Sequence, residues 1–274
     1  MTNRFYRILS LGQLIVIDGL RRHAIIGLII FALAGEVCGL LFFDFIPKDI
    51  GRASNDFLFS IAWVTGFIFL LIHGVKAAAW DSERNVVHTF LARPISRTEY
   101  ILGVFAGLAI LLLLLNLILA TISWVILNLI KNSVAPIYFQ NLSFYLFILS
   151  TAGLYYIQLM ILSVILFFSG AIRGNFPVLL LTLAYYFICN GLPVVRESVL
   201  FGTQGNTNNS LNLILKWLTA IFPDFSRLDF KTLVISAENV IPIKEYSLSF
   251  GLSTIYIVII LWFATIVYQR RDLN

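Results

Sequence analysis

Long apolar runs separated by short polar segments dominate the chain, and six runs are long enough for membrane-spanning helices. A helix needs about 20 mostly apolar residues to cross the hydrocarbon core of a bilayer. Barrel strands would alternate apolar and polar residues, which these runs do not, so we expect an all-α membrane protein. The predicted spans are Ala24–Phe43, Phe57–Trp80, Tyr100–Asn128, Phe144–Ser169, Pro177–Val195 and Leu248–Tyr268.

Two further segments are apolar but do not form predicted spans. Residues 5–22 are interrupted by Arg7, Gln13 and Asp18. This pattern predicts an N-terminal helix in the membrane interface, with a cytosolic tail as the alternative. Residues 196–247 are predicted as an outer loop with two short elements, 211–222 and Phe225–Ile235. These are expected to be re-entrant or interfacial helices before the last span, or else loop helices lying on the bundle.

Composition excludes a soluble enzyme. Hydrophobic residues make up 59% of the 274 residues, charged residues 12%, and the mean hydropathy is +0.92. Soluble domains carry about 25% charged residues. The chain is therefore interpreted as one transmembrane domain, residues 1–274, whose first apolar run is a retained anchor without a signal-peptide cleavage pattern. The capping-type cluster Ser54-Asn55-Asp56 predicts where the second span begins.

The net charge of +5 is informative mainly through its distribution. With a cytoplasmic N-terminus, the inner segments hold eleven Lys and Arg residues and the two short outer loops hold three. The long outer loop holds the other five, spread over its length, so it weighs less. The positive-inside rule then predicts that both termini are cytoplasmic. Nucleic-acid binding would need a basic cluster with aromatic residues, and the sequence has none.

The chain carries no pattern for catalysis, nucleotide binding or a metal site. No G-x-x-x-x-G-K-[ST] motif occurs, so any ATP hydrolysis is expected in a separate subunit. His23, His73 and His88 are far apart in the sequence, and each is attributed to packing near a membrane boundary. Cys38 and Cys189 are interpreted as apolar core residues. A membrane-embedded enzyme is therefore disfavoured.

A few polar residues interrupt the predicted spans. Glu36 lies between Gly35 and Gly39, in the G-x-x-x-G spacing that allows close helix approach. An ionisable residue at such depth is a candidate for a translocation path, and a hydrogen-bonded structural role is the alternative. Asn116 and Gln158 are assigned to the same path or to hydrogen bonds between helices, as is Asn190. Gly103 and Gly107 repeat the small-residue spacing and are expected to pack.

The polar loop 81–99, between the second and third spans, contains a short amphipathic helix. Its apolar residues Val86, Val87, Phe90 and Leu91 are at helical spacing, and Pro94 ends the helix. Exposed apolar residues on a charged loop are expected to be buried against another surface. That surface is either a groove on a partner protein or the membrane. The residues expected at the contact are Glu83, Arg84, Val87, His88, Phe90, Leu91, Arg93, Pro94, Ser96 and Arg97.

This loop resembles the cytoplasmic loop of type-2 ATP-binding-cassette (ABC) permeases. The branch it resembles most is grouped with the permease of copper-enzyme (nitrous oxide reductase) maturation. The shared features are Glu83, Thr89-Phe90-Leu91, Arg93-Pro94-Ile95-Ser96-Arg97, Leu102-Gly103, the Pro223–Asp229 stretch, the terminal Arg270-Arg271-Asp272-Leu273 and six spans.

The resemblance implies a permease subunit in a bacterial plasma (inner) membrane. It would pair with a second copy or a related permease, and cytosolic ABC ATPase subunits holding ATP and Mg would dock at 81–99. The chain itself would bind no cofactor. A membrane anchor that transmits force to a periplasmic partner remains the alternative. The cargo is open, although two Met and two Cys residues disfavour copper itself.

Overall fold

The computed structural model describes residues 2–21, 23–43, 49–80, 96–139, 142–201, 222–235 and 243–270. These residues form helices joined by short connections, and no strand occurs among them. The longer helices are α1 Thr2–Arg21, α2 His23–Phe43, α3 Ile50–Phe69, α4 Arg97–Ser133, α5 Phe144–Ala171, α6 Asn175–Phe201 and α7 Ile243–Arg270. The all-helical prediction is confirmed for the described part of the chain.

Among the described residues, five helices are long and apolar enough to cross a membrane. They include the predicted second to sixth spans, and their apolar segments are Ile50–Ala78, Arg97–Ser133, Phe144–Ala171, Asn175–Val194 and Tyr246–Arg270. The predicted first span falls on α2, whose described apolar segment Ile26–Gly39 is shorter than the others.

The second membrane helix begins earlier than the sequence predicted. Asp49, with φ 58°, precedes α3, which starts at Ile50. The predicted cap at Ser54-Asn55-Asp56 is therefore wrong. Ser54 Oγ donates to the Ile50 carbonyl oxygen one turn back, and Asn55 Nδ2 donates to the Lys231 carbonyl oxygen at 2.8 Å. Ser54 bonds within the helix and Asn55 bonds to another segment, so neither side chain caps the helix start.

The inner part of the same helix has unusual hydrogen bonding. After Phe69 the chain continues through two π-helical segments, Leu70–Gly74 and Lys76–Trp80. The π-helix is rare and is found mainly at functional sites. Here it lies directly before the polar loop that the sequence singled out.

Helix α4 begins with a capping box. Ser96 Oγ accepts from the Glu99 backbone N–H at 3.3 Å, and the Glu99 carboxylate accepts from the Ser96 N–H at 3.0 Å. Two of the donors that a helix start leaves unpaired are thereby satisfied. The helix runs for 37 residues to Ser133 and exceeds the predicted Tyr100–Asn128 at both ends.

Helix α5 lies at the centre of the bundle. In its most apolar stretch 61% of the residues are buried, compared with 28% in α6 and 22% in α7. Large buried side chains of α4 and α5, such as Leu112, Leu119 and Ile161, form the core between them. The outer faces of α6 and α7 carry exposed apolar residues, as expected where lipid replaces water.

Helix α1 packs lengthwise on the first half of α4. A Cβ on Gly107 would lie 2.8 Å from both the Gly12 carbonyl oxygen and Ile15 Cβ, so only glycine fits at this approach. Further along, Gly19 faces Leu111. The sequence predicted that Gly103 and Gly107 pack, and their neighbour is the N-terminal helix.

Part of the predicted outer loop is described. Two 3₁₀-helices, Phe225–Leu228 and Lys231–Leu233, stand where one amphipathic piece was predicted over Phe225–Ile235. Asp224 caps the first by accepting from the Ser226 N–H at 3.1 Å. The other predicted element, 211–222, lies outside the described residues except for Phe222.

Candidate functional site

Arg97, near the end of the polar loop, bonds to another helix of the bundle. Its Nη1 donates to the carbonyl oxygens of Tyr268 at 3.0 Å and Gln269 at 2.9 Å, at the end of α7. Of the ten residues predicted at the ATPase contact, Ser96 and Arg97 are described. Glu83, Arg84, Val87, His88, Phe90, Leu91, Arg93 and Pro94 lie outside the described residues.

Glu99 connects the same place to the N-terminal helix. Its carboxylate oxygens lie 3.9 Å from Arg4 Nε and 3.7 Å from Arg7 Nη1. Glu99 is nearly buried, whereas Arg4 is largely exposed, so the Arg4 pair contributes little. The sequence analysis did not select Glu99 as a site residue. Its position three residues after Ser96 was the signal that could have identified it.

Tyr268 joins the remaining helices at this end. Its hydroxyl donates to the Ala78 carbonyl oxygen at 3.2 Å and lies 3.0 Å from Ser169 Oγ. The ends of α3, α5 and α7 thus meet at one tyrosine. We call the cluster Ser96, Arg97, Glu99, Ser169 and Tyr268 the inner cluster. It links the exit of the polar loop to three other helices and to α1.

Glu36 is fully buried between helices. Its Oε1 accepts a hydrogen bond of 2.8 Å from Ser123 Oγ on α4, and its Oε2 has no partner among the described residues. Next to it, a Cβ on Gly39 would overlap the Phe57 ring, and one on Gly35 would lie 3.3 Å from Ile61. Glu36 therefore lies in a tight contact of α2 with α3 and α4, without an open path beside it in the described residues.

Asn116 and Gln158 bond to each other. Asn116 Nδ2 lies 2.6 Å from Gln158 Oε1, across α4 and α5, and also 2.8 Å from the Leu112 carbonyl oxygen. Gly66 on α3 faces the Gln158 amide, where any side chain would overlap it. A cavity of about 10 Å³, lined by Asn116 and Ser123 among others, lies between this pair and Glu36. Asn190 instead donates to the Tyr186 carbonyl oxygen of its own helix.

A further opening lies at the other end of the bundle. A cavity of about 510 Å³ is enclosed by α3, α5, α6 and the segment Phe225–Lys231. We call it the outer cavity. Its apolar wall includes Phe59, Trp63, Leu154, Ile157, Tyr186 and Phe225, and its polar residues are Ser60, Ser150, Asn190, Ser226, Asp229 and Lys231. The sequence analysis missed it, apart from noting the Pro223–Asp229 stretch.

The described residues contain no group of three or more His, Cys, Asp or Glu side chains that could hold a metal ion. Cys38 is exposed and Cys189 is buried, and both are free thiols. His73 stacks on the Phe69 ring, with centroids 5.3 Å apart.

The chain matches no protein-family model and no curated protein. Any functional assignment therefore has to be argued from the residues and their contacts.

Proposed function

We propose that the chain is the membrane-spanning permease subunit of a type-2 ABC transporter. The observation that carries the proposal is the attachment of Arg97, the last residue of the Arg93–Arg97 motif, to the end of α7. A loop anchored to several membrane helices can transmit a force applied by a cytosolic partner. The motif resemblance and this anchoring are independent of each other.

Six crossings are proposed, and the positions of the described chain ends support an even number. Arg7 and Glu99 are ion-paired, and Arg97 bonds to Gln269, so the start of α1 and the end of α7 lie at the same end of the bundle. An even number of passes must therefore connect them. Among the described residues five helices have the length and composition to cross, and α2 is proposed as the sixth pass. The helix α1 would lie along the first half of α4, starting from the end that holds Glu99.

The end that holds both termini is proposed to be cytoplasmic. Arg4, Arg7, Arg97 and Arg270 gather there, and the positive-inside rule assigns such an end to the cytoplasm. The membrane is then the bacterial plasma membrane, as the family resemblance implies. The segment Phe225–Lys231 would face the opposite side, where a periplasmic partner is the alternative neighbour.

ATP and Mg would be bound by a separate ATPase subunit, since this chain has no phosphate-binding loop. The apolar stripe of residues 86–91 would occupy a groove on that subunit, in the way an amphipathic helix docks. A second permease, identical or related, would complete the translocation path. The outer cavity favours a cargo-handling subunit over an anchor that only transmits force, because an anchor needs no internal cavity.

Co-purification with the ATPase tests the proposal. Central apolar anchors dominate most interfaces, whereas charges at the rim contribute less. Leu91→Asp or Phe90→Ala should therefore detach the ATPase or abolish its stimulation by the permease, and Arg84→Ala should have a small effect. The measurements are the ATPase-to-permease ratio after purification and the hydrolysis rate in nanodiscs.

A matched control keeps the assay specific to this loop. Leu252→Asp makes the same substitution at an exposed leucine on the lipid-facing surface of α7. It should reduce yield without changing the subunit ratio of the protein that folds. Wild-type stoichiometry and wild-type hydrolysis in Leu91→Asp would contradict the proposal.

A further inference from the structure

The outer cavity has a polarity gradient along the bundle axis. Asn55 near the start of α3 bonds to Lys231, so the start of α3 and the Phe225–Lys231 segment mark the outer end. The polar residues Ser60, Asn190 and Asp229 lie towards that end, and Val64, Leu154 and Ile157 lie deeper. A ligand that fits this gradient has a polar head facing outwards and an apolar tail facing the bundle centre. Its volume of about 510 Å³ is within the range of ~300–1,000 Å³ typical of ligand pockets.

The serine hydroxyls of the lining donate their hydrogens within the protein. Ser60 Oγ donates to the Asp56 carbonyl oxygen at 2.6 Å, and Ser150 Oγ donates to that of Leu146 at 2.8 Å. Ser226 Oγ lies 2.6 Å from the carboxylate of Asp224. A hydroxyl has one hydrogen and two lone pairs, so each of these groups can offer only an acceptor to a ligand.

Asn190 adds a further acceptor. Its Nδ2 donates one hydrogen to the Tyr186 carbonyl oxygen at 3.2 Å, so the amide offers its oxygen as an acceptor beside the cavity and its second N–H as a donor. The complement of several acceptors is a head that is rich in hydrogen-bond donors.

The charges of the lining cancel. Its two charged side chains among the described residues, Asp229 and Lys231, form an ion pair with 3.5 Å between Oδ2 and Nζ. A strongly anionic or cationic head would have to be desolvated without a spare counter-charge, which is costly. The lining therefore selects an uncharged head.

We propose that the outer cavity binds an amphiphile whose head is uncharged and polyhydroxylated, such as a glycoside with an alkyl tail. The head hydroxyls donate to the lone pairs of Ser60, Ser226 and Asn190, and the tail packs against Trp63, Leu154 and Tyr186. This names a substrate class for the proposed permease, and the transport step rests on that proposed function. Binding itself requires only this chain.

Native mass spectrometry of the full-length chain in a polyoxyethylene detergent measures the binding. Four decyl-chain probes are compared at equal concentration: decyl glucoside, its permethylated form, decyl sulfate and decyltrimethylammonium. The permethylated glucoside keeps the sugar ring and loses every donor. We expect one decyl glucoside per chain, bound about tenfold more tightly than each of the other probes, a ratio that corresponds to ~1.4 kcal/mol.

Two variants with matched controls locate the site. Asn190→Leu removes the acceptor, and Asn128→Leu removes an amide that bonds its own helix in the same way, away from the cavity. Ser60→Phe fills the cavity, and Ser133→Phe makes the same change at an exposed serine of α4. Glucoside binding should fall at least about tenfold in the first member of each pair and stay unchanged in the second.

Equal binding of the glucoside and its permethylated form would overturn the assignment of the head. Absence of glucoside binding in the wild type, or full binding in both Asn190→Leu and Ser60→Phe, would overturn the site. None of these measurements involves an ATPase, so their outcome is independent of the co-purification test, and either proposal can fail while the other stands.

Discussion

At the scale of single residues, two pairs of buried polar side chains join different helices of the bundle. Glu36 pairs with Ser123, and Asn116 pairs with Gln158. A buried polar group without a partner costs about 1–3 kcal/mol, so each pair holds its two helices in one relative position. Because Glu36 is fully enclosed within a helix contact, its first role is to position α2 on α4.

A double-mutant cycle checks this role for Glu36. Ser123→Ala leaves Oε1 without its donor and should destabilise the chain by roughly 1–3 kcal/mol. In a Glu36→Leu background, the same serine change should have almost no effect, because the acceptor is gone. Glu36→Gln keeps an amide oxygen as acceptor and should stay close to wild type. Thermal unfolding in detergent gives the three values, with Ser133→Ala as a surface control. Additive effects of the two changes would contradict the pairing.

The sequence identified the polar residues at this scale but not their partners. Glu36, Asn116 and Gln158 stand out because polar side chains are rare within apolar runs. The sequence does not show which of its many serines bonds to Glu36. That choice of Ser123 depends on the register between two helices that are far apart in the chain. The outer cavity was missed for the same reason: its walls come from three helices and a loop that only the packing brings together.

At the scale of elements, sequence pattern predicted the cores of the helices better than their ends. Apolar length fixes where a span must lie, while its start depends on local hydrogen bonds. Ser54 and Asn55 have the composition of a cap, but each finds a partner inside the bundle, so α3 continues past them to Ile50. For α4, the Ser96–Glu99 capping box marks a helix start at Arg97, three residues before the predicted start at Tyr100, and this signal is present in the sequence.

The contact of α1 with α4 depends on small residues and is testable. Gly107→Leu would place a side chain against the Gly12 carbonyl oxygen and Ile15, so α1 should separate from α4. Hydrogen exchange at the amides of residues 2–21 should then rise by about tenfold or more, since ~1.4 kcal/mol of lost docking energy gives that factor.

Gly251→Leu is the control for this exchange experiment. No atom lies within 4 Å of the position where its Cβ would be, so the same substitution on α7 meets open space. Protection of residues 2–21 should stay at the wild-type level in this variant. If Gly107→Leu also leaves the protection of residues 2–21 unchanged, then the packing against α4 is not what holds α1 in place.

At the scale of the whole molecule, the inner cluster connects helices that are far apart in the sequence. Arg97 and Tyr268 join α3, α4, α5 and α7 at a single end, and Glu99 adds α1. A displacement of the polar loop would move these helices together. The outer cavity lies at the opposite end of the bundle. A displacement caused by the proposed cytosolic partner would therefore have to be transmitted to the cavity along α3 and α5.

Topology is the prediction that belongs to this scale. If the helices pass six times, reporters fused before Met1 and after Asn274 should both be cytoplasmic, and one inserted within Gly205–Ser210 should be outside. Alkaline phosphatase, active only outside, and a fluorescent protein that folds only inside give opposite readings at each point. The excess of positive charge on one side predicts which side is cytoplasmic. The ion pair of Arg7 with Glu99 and the bond of Arg97 to Gln269 support an even number of membrane passes.

If α2 failed to cross, the number of passes would be five, and the two terminal reporters would lie on opposite sides. Single cysteines at the same points, in a Cys38→Ser and Cys189→Ser background, labelled with a membrane-impermeant maleimide, check that the fused domains have not changed the orientation.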